Sequence, residues 1–217
     1  MISTSYHFWA VCLCEIALLH ACRYLAHIAL PNAVDKNTPG RVGSLVQGAF
    51  CALFLWQDDV EVALMTTALY FIYDLFAALY FQRPLPLEMK VHHAAGAFLC
   101  ILTTMYDGWK PSHSAAPISF ALLAMEVTNP VFHTAMILRS EFPSVWAWTP
   151  LKALLSASIV IGWIYFRILG VMVGLWMSML AMIKMQQYVT SVGLVLGAGM
   201  LVLQIQWFAA IVRKAST

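Results

Sequence analysis

The sequence predicts an all-α protein: a polytopic transmembrane helical bundle of about seven spans. Three observations lead there. Of 217 residues, 62% are hydrophobic and only 10% charged, whereas soluble domains carry about 45–50% apolar and about 25% charged residues. Twelve basic and ten acidic side chains are too few to coat a water-facing surface. The apolar residues also fall into long runs with short polar breaks, and Trp9, Trp56, Trp109, Trp146, Trp148, Trp176 and Trp207 sit near the run ends, as interfacial belts do. A water-soluble globule and a disordered chain are both excluded. A net charge of +2 with no basic run argues against a nucleic-acid partner.

The runs are taken in order. The first, 6–28, has no basic start, is too long for a signal peptide and carries Glu15, His20, Arg23 and His27. It is read as a retained anchor span within 1–34, ahead of a domain over 35–214, the whole 1–217 forming one membrane domain. Arg23, near its end, is read as snorkelling to lipid headgroups. The second run, 41–57, is short against the roughly 20 residues a span needs. The third is 61–81 and the fourth 89–106. The fifth, 115–138, contains Pro130. The sixth, 151–183, is too long for one straight crossing. It is read as one crossing bent near Gly170 or Gly174, with two spans as the alternative. The seventh is 189–212. Pro31, Pro39, Pro84, Pro86, Pro111 and Pro143 fall in the connections, where proline stops helices. Gly193 with Gly197, and Ser44 with Gly48, have the four-residue spacing of close helix contacts. The five cysteines lie inside apolar runs without a Cys-x-x-Cys pair and are read as packing thiols.

Loop charge sets the expected orientation. One set of alternate connections carries Lys36, Arg41, Arg83, Lys90, Arg139, Lys152, Arg213 and Lys214; the other carries only Lys110 and Lys184. The positive-inside rule places the richer side in the cytosol. The amino terminus is then lumenal or outside and the carboxyl terminus cytosolic.

An ionisable residue within a span costs roughly 2.5–3.5 kcal/mol on insertion scales. Besides Glu15 and Arg23, the chain places Asp74, His92, His93, Glu126, His133 and Arg167 there. At about 1.5 Å per residue, His92 and His93 lie about 5 Å from the cytosolic end, His133 about 8 Å, Asp74 about 11 Å, Glu126 about 18 Å and Arg167 about 24 Å. All can line one cavity open to the cytosol, with Glu126 and Arg167 as a candidate ion pair. Ser119, Glu126, Asn129 and His133 share one helix face. Pro130, within that stripe, frees the carbonyl of Glu126; a proline kink held by a neighbouring polar group would give the same pattern. His92 and His93 are adjacent and point about 100° apart. A metal would need Asp74 or His133 beside them, and nothing in the spacing demands one, so no metal and no cofactor is expected.

Tyr70 to Leu75, His92-His93, Glu126 to Pro130 with His133, and Phe166-Arg167-Ile168, in this order on separate runs, resemble the TLC family: the TRAM, longevity-assurance and CLN-type lipid-domain proteins. Arg41 to Gly48 is similar to the family's early segment. The resemblance implies a helical membrane bundle acting on or around lipids. It also implies the endoplasmic reticulum, with the plasma membrane second, and a link to sphingolipids. In the ceramide synthase branch it would carry a catalytic histidine onto His92 or His93, with acyl-CoA as co-substrate. Ala94 to Gly108 lacks the longer signature of that branch, and the chain is closer in look to the small TLC-domain-containing proteins.

Two functional expectations follow. In the first, the protein handles membrane lipids and maintains their balance, with Asp74, His92, His93, Glu126, Asn129, His133 and Arg167 lining a site for a lipid or lipid precursor. In the second it is an acyl-CoA-dependent N-acyltransferase, with His92 or His93 as general base or acyl acceptor and Asp74 orienting it. A transporter would share the buried charges, but the sequence lacks paired repeats.

Overall fold

The computed structural model describes residues 2–57, 59–80, 85–105, 116–185 and 190–215. Arg83, Pro84, Trp109, Lys110, Pro111 and the side chain of Ser119 lie outside what it describes. The described residues are helical with no strand. In chain order they form α1 (Ile2–Ala29), α2 (Thr38–Trp56), α3 (Val60–Tyr80), α4 (Leu87–Met105), α5 (Ala116–Glu126), α6 (Asn129–Glu141), the short α7 (Pro143–Trp146) and α8 (Thr149–Gly162). A π-helical segment (Trp163–Leu169), α9 (Gly170–Met185) and α10 (Thr190–Ala215) complete the chain.

Among the described residues, five stretches are long and apolar enough to cross a bilayer: Trp9–Ala29, Val60–Tyr80, Phe120–Glu141, Thr149–Ala181 and Gly193–Arg213. α2 and α4 are 19 residues each and more polar, because they carry Gln47 and the two adjacent histidines. The bundle therefore has the expected architecture, with about seven spans as an approximate count.

Two runs are broken, each for a physical reason. In the fifth, Pro130 lacks the amide hydrogen that would satisfy the Glu126 carbonyl, so α5 ends at Glu126 and α6 begins at Asn129. Thr128 N closes a tight turn onto Met125 O at 3.2 Å. In the sixth, the helix widens into the π segment immediately before Gly170. Gly174 instead serves close packing: a Cβ there would lie 2.8 Å from Ala121 Cβ on α5.

The interior is built from three apolar clusters. Leu99, Ile118, Met125, Val171 and Met200 join α4, α5, α9 and α10. Cys51, Leu64, Cys100 and Leu123 join α2 to α5. Leu19, Tyr70, Phe71 and Ala97 join α1, α3 and α4. Large apolar side chains such as Leu25, Phe76, Leu79 and Val195 face outward. That is an aggregation hazard in water, and it suits a hydrocarbon solvent.

A polar latch closes the end of the bundle where α1 meets α2. A carboxylate at a helix C-terminus opposes the helix dipole, yet Glu141 ends α6. Its Oε1 accepts from Asp35 N at 3.1 Å and from Thr38 Oγ1 at 2.7 Å, and its Oε2 accepts from Val34 N at 3.0 Å. Asp35 in turn accepts from Asn37 N at 2.9 Å and Arg41 Nε at 2.8 Å. Partial burial pushes the Asp35 carboxyl up, but its donors outweigh that and hold it below its ordinary value.

A depressed carboxylate contributes stability that is complete above its ordinary value and lost as pH falls through the folded one. Asp35→Ala should therefore melt below the wild type at pH 7. The gap should persist down to the ordinary aspartate value of 3.8 and close on further acidification. Thermal melts in detergent across that range decide it; a gap unchanged at low pH would assign Asp35 a packing role instead.

Candidate functional site

The adjacent histidines of α4 open onto different helices, and each meets a carboxylate. His93 Nδ1 lies 3.2 Å from Asp74 Oδ2 on α3. His92 Nε2 lies 3.9 Å from Glu126 Oε1 at the end of α5. All four are nearly closed to solvent, His92 at 4% and His93 at 3% exposure. Their ring centroids are 5.4 Å apart. The intervening space is filled by Phe71, stacked on His93 at 5.0 Å and edge-on to His92 at 5.4 Å.

Each carboxylate is backed by an arginine. Asp74 Oδ1 accepts from Arg23 Nη2 of α1, a buried ion pair. The guanidinium also lies over Tyr73, 4.8 Å from the ring centroid. Arg23 is thus a core residue and not a snorkelling one, because α3 supplies a buried partner that makes the headgroup unnecessary. A depth argument from the sequence could have found the pair: Arg23 stands five residues and Asp74 seven residues before the ends of the runs 6–28 and 61–81, both on the same side of the membrane.

Glu126 and Arg167 are joined through a third residue. Asn129 Nδ2 donates to Glu126 Oε2 at 2.6 Å, and Asn129 Oδ1 accepts from Arg167 Nη2. The amide is the one neutral side chain with a donor and an acceptor on the same fork, so it can serve an anion and a cation at once. The direct pair expected from opposite charge is replaced by this bridge. Arg167 also donates from Nε to Thr128 Oγ1 at 2.6 Å and from Nη1 to Gln204 Oε1 at 3.2 Å, and lies 4.5 Å above the Trp163 ring. Trp163 Nε1 donates to the Gln204 carbonyl at 3.0 Å. The π segment is what brings Trp163 and Arg167 together onto α10.

The kink makes room for this. Gly48 of α2 lies against it, where a Cβ would sit 2.5 Å from Pro130 Cδ and 2.6 Å from the Glu126 carbonyl oxygen. His133 stands apart from the chain of contacts. Its ring lies edge-on to Phe132 at 5.2 Å, and its Nδ1 is buried without a hydrogen-bond partner. Glu15 is also apart and buried: Thr66 is its polar neighbour, but that hydroxyl donates to Ala63 O at 3.2 Å, leaving both Glu15 oxygens unpartnered. A cavity of about 130 Å³ opens between α6 and α8, lined by Val127, Val131, Phe132 and Ile159, and shares Thr128 and Trp163 with the Arg167 cradle. Among the described residues, no three His, Cys, Asp or Glu side chains form a set able to hold a metal.

One further contact matters. His92 Nδ1 lies 3.2 Å from Met200 Sδ. A thioether only accepts, so in a neutral imidazole this contact puts the hydrogen on Nδ1. Nε2 then faces the Glu126 carboxylate as a second acceptor, with no hydrogen between them.

The family model of the TLC domain matches residues 1–213, and the chain belongs to that family. The match takes in α1 and so the helix that carries Arg23. No curated protein and no solved structure matches it. Family and architecture together make the chain an integral membrane protein of lipid-related function.

The Asn129 bridge sets the coupling. Glu126→Gln and Arg167→Gln should each destabilise the protein, since a lone buried charge remains. The double variant should cost less than the sum, by about 0.5–3 kcal/mol. In Asn129→Leu, that non-additivity should fall away. Thermal melts of the four-member cycle in both backgrounds measure it, and additive losses with Asn129 present would show that no coupling runs through the amide.

Proposed function

We propose that the protein binds the hydroxyl- or amine-bearing end of a membrane lipid or lipid precursor at the His92–Glu126 pair. The observation that carries this is the 3.9 Å separation of His92 Nε2 and Glu126 Oε1; with the neutral imidazole's hydrogen on Nδ1, toward Met200, both atoms are acceptors. That spacing is too long for a hydrogen bond and suits a donor reaching both. Charge accounting supports the same class. Arg23 is held by Asp74, and Arg167 by Thr128, Asn129 and Gln204. An anionic headgroup would have to displace a protein acceptor from one of these arginines. A neutral alcohol or an amine would not.

The test uses the full chain in nanodiscs with photoactivatable probes: a long-chain alcohol, a long-chain amine, a fatty acid and a phosphatidic acid. The alcohol or amine should label peptides from α4 and α5–α6. Glu126→Gln should weaken that labelling roughly tenfold or more, the loss of a charge-assisted hydrogen bond. Equal or stronger capture of the anionic probes would sink the reading.

A second reading, acyl transfer, is favoured by one distance. His93 Nδ1 lies 3.2 Å from Asp74 Oδ2, a distance at which a carboxylate can orient a general base once the two are aligned; as they stand they form a contact and not an aligned hydrogen bond. There, the imidazole would take the proton from the lipid amine as nitrogen attacks the acyl-CoA thioester. The C–N bond forms, the C–S bond breaks, and the proton leaves on the coenzyme A thiol. Acyl-CoA turnover that His93→Ala abolishes in a folded protein would establish it. Absence of turnover across a broad panel of acceptors, with lipid capture intact, would leave binding alone.

The orientation belongs to the same proposal. The charge asymmetry of the loops supports a lumenal or outer amino terminus and a cytosolic carboxyl terminus. Family likeness supports the endoplasmic reticulum. Tags at the two ends should differ in protease protection in sealed vesicles; equal protection would overturn an odd number of spans.

A further inference from the structure

Gln204 supports Arg167, and its amide has a second end. Met200, Gln204 and Trp207 follow one another at four and three residues on α10, so they share one helix face. The outer two lie against His92. Met200 Sδ is 3.2 Å from His92 Nδ1, and the Trp207 ring stands edge-on with the centroids 5.4 Å apart. Gln204 lies between them in sequence and is wholly buried. It is tied to the other side of the site as well. Its Oε1 accepts from Arg167 Nη1 at 3.2 Å, and Arg167 Nη2 donates to Asn129 Oδ1. Asn129 Nδ2 donates to Glu126 Oε2 at 2.6 Å, and Glu126 Oε1 lies 3.9 Å from His92 Nε2. Glu126, Asn129, Arg167 and Gln204 thus form a circuit that α10 closes back onto His92.

Two demands are left in that circuit. With the His92 hydrogen on Nδ1, His92 Nε2 and Glu126 Oε1 are both acceptors. Gln204 Nε2 is a buried donor with no hydrogen-bond partner. The amide cannot be turned to relieve it. A guanidinium only donates, so Oε1 must face Arg167, and the NH2 group is left over. Burying a donor unpaired carries the full cost of its desolvation.

We propose that Gln204 Nε2 is the donor arm of the lipid site and makes it selective for a hydroxyl over an amine. The inference rests on the proposed site and narrows its ligand. A hydroxyl has one hydrogen to give and lone pairs to receive. It gives the hydrogen to Glu126 Oε1, with His92 Nε2 as the alternative acceptor, and its oxygen accepts from Gln204 Nε2. An amine protonated beside the carboxylate has only donors. It meets the two acceptors and leaves the Gln204 amide unpaired. An ether oxygen has only lone pairs and leaves the carboxylate unanswered. Of these three lipid groups, the hydroxyl alone answers both demands.

The experiment measures capture of a photoactivatable long-chain alcohol and of the amine of the same chain by the full-length protein in nanodiscs. The ratio of the two is the readout, because damage to the bundle lowers both. The wild type should favour the alcohol. Gln204→Met should lower alcohol capture about tenfold, the loss of one buried hydrogen bond, and leave amine capture in place. Gln204→Glu, which keeps an acceptor for Arg167 and replaces only the donor, should lower the ratio too. The side effects of the two changes are opposite. Met leaves Arg167 short of an acceptor, which favours the alcohol; Glu adds a negative charge, which favours the amine. A fall in both therefore reports the lost donor. An unchanged ratio in Gln204→Met overturns the proposal, and so does a fall confined to Gln204→Glu. Should Gln204→Met fail to fold, the methyl ether of the alcohol probe decides in the wild type. It should be captured several-fold better than a plain hydrocarbon chain of equal length, and equal capture overturns the proposal. Capture of neither alcohol nor amine by the wild type sinks the lipid site itself, and this inference with it. Capture with a ratio that ignores Gln204→Met leaves the site standing and removes only its selectivity for a hydroxyl.

Discussion

A charge placed in hydrocarbon must be answered by the protein itself, because lipid cannot solvate it. The rest of this bundle is arranged around that requirement. Arg23, Asp74, Glu126 and Arg167 are all buried, and each finds its partner on another helix or across the proline break. Such contacts do more than cancel a penalty. Apolar helices have little reason to prefer one register over another in lipid, since side chains and solvent are equally apolar. The Arg23–Asp74 pair fixes α1 against α3. The Arg167 cradle fixes the π segment against the kink of α5–α6 and against Gln204 of α10. Sliding any of these elements by one turn, about 5.4 Å, would strand a charge.

The pins depend on close approach, and close approach depends on missing side-chain atoms. Gly43 admits the guanidinium of Arg23, and Gly48 admits the kink and the carbonyl that Pro130 leaves free. Gly96 admits Phe71, and Gly197 admits Ile118 and Leu175 beside the apolar cluster of α4, α5 and α10. The glycines of α2, α4 and α10 therefore act as receptors for specific neighbours. In membranes, where dispersion contacts and hydrogen bonds replace the hydrophobic effect between helices, such complementarity is the main source of packing energy.

Helix positions were largely legible in the sequence, because apolar runs and prolines report them directly. Expected 61–81 becomes Val60–Tyr80, and expected 89–106 becomes Leu87–Met105. The break at Pro130 was legible as well, from the missing amide hydrogen. The partners were less so. Depth arithmetic placed Glu126 and Arg167 within about 6 Å of each other along the membrane normal. It could not tell a direct pair from one relayed by Asn129, since azimuth on the helix decides that. Arg23 is ambiguous in the sequence because a residue near a helix end can reach either headgroups or a core acid, and only the neighbour's position selects. The π segment leaves no mark in composition; one extra residue per turn is a property of packing against α10. Gln204 and Thr128 do not stand out in the sequence because uncharged polar residues are common in spans, and only the geometry of Arg167 makes them partners.

The divergence of His92 and His93 looked like an obstacle in the sequence, since adjacent residues on a helix cannot face one atom. In the folded chain that divergence is the organising feature. One turn of α4 serves two acids from two different helices, and the two imidazoles end in unlike surroundings. His93 is confined: Asp74 at 3.2 Å, Phe71 stacked on its face, Tyr70 tilted 6.1 Å away. His92 is held at one nitrogen by a thioether and at its edges by Phe71 and Trp207, with its other nitrogen 3.9 Å from a carboxylate that it does not bond. A confined histidine has a fixed direction. A histidine facing an acceptor across an unbridged gap gains a contact only when a donor arrives. The two residues end in unlike surroundings because their rings point about 100° apart, one toward α5 and the other toward α3.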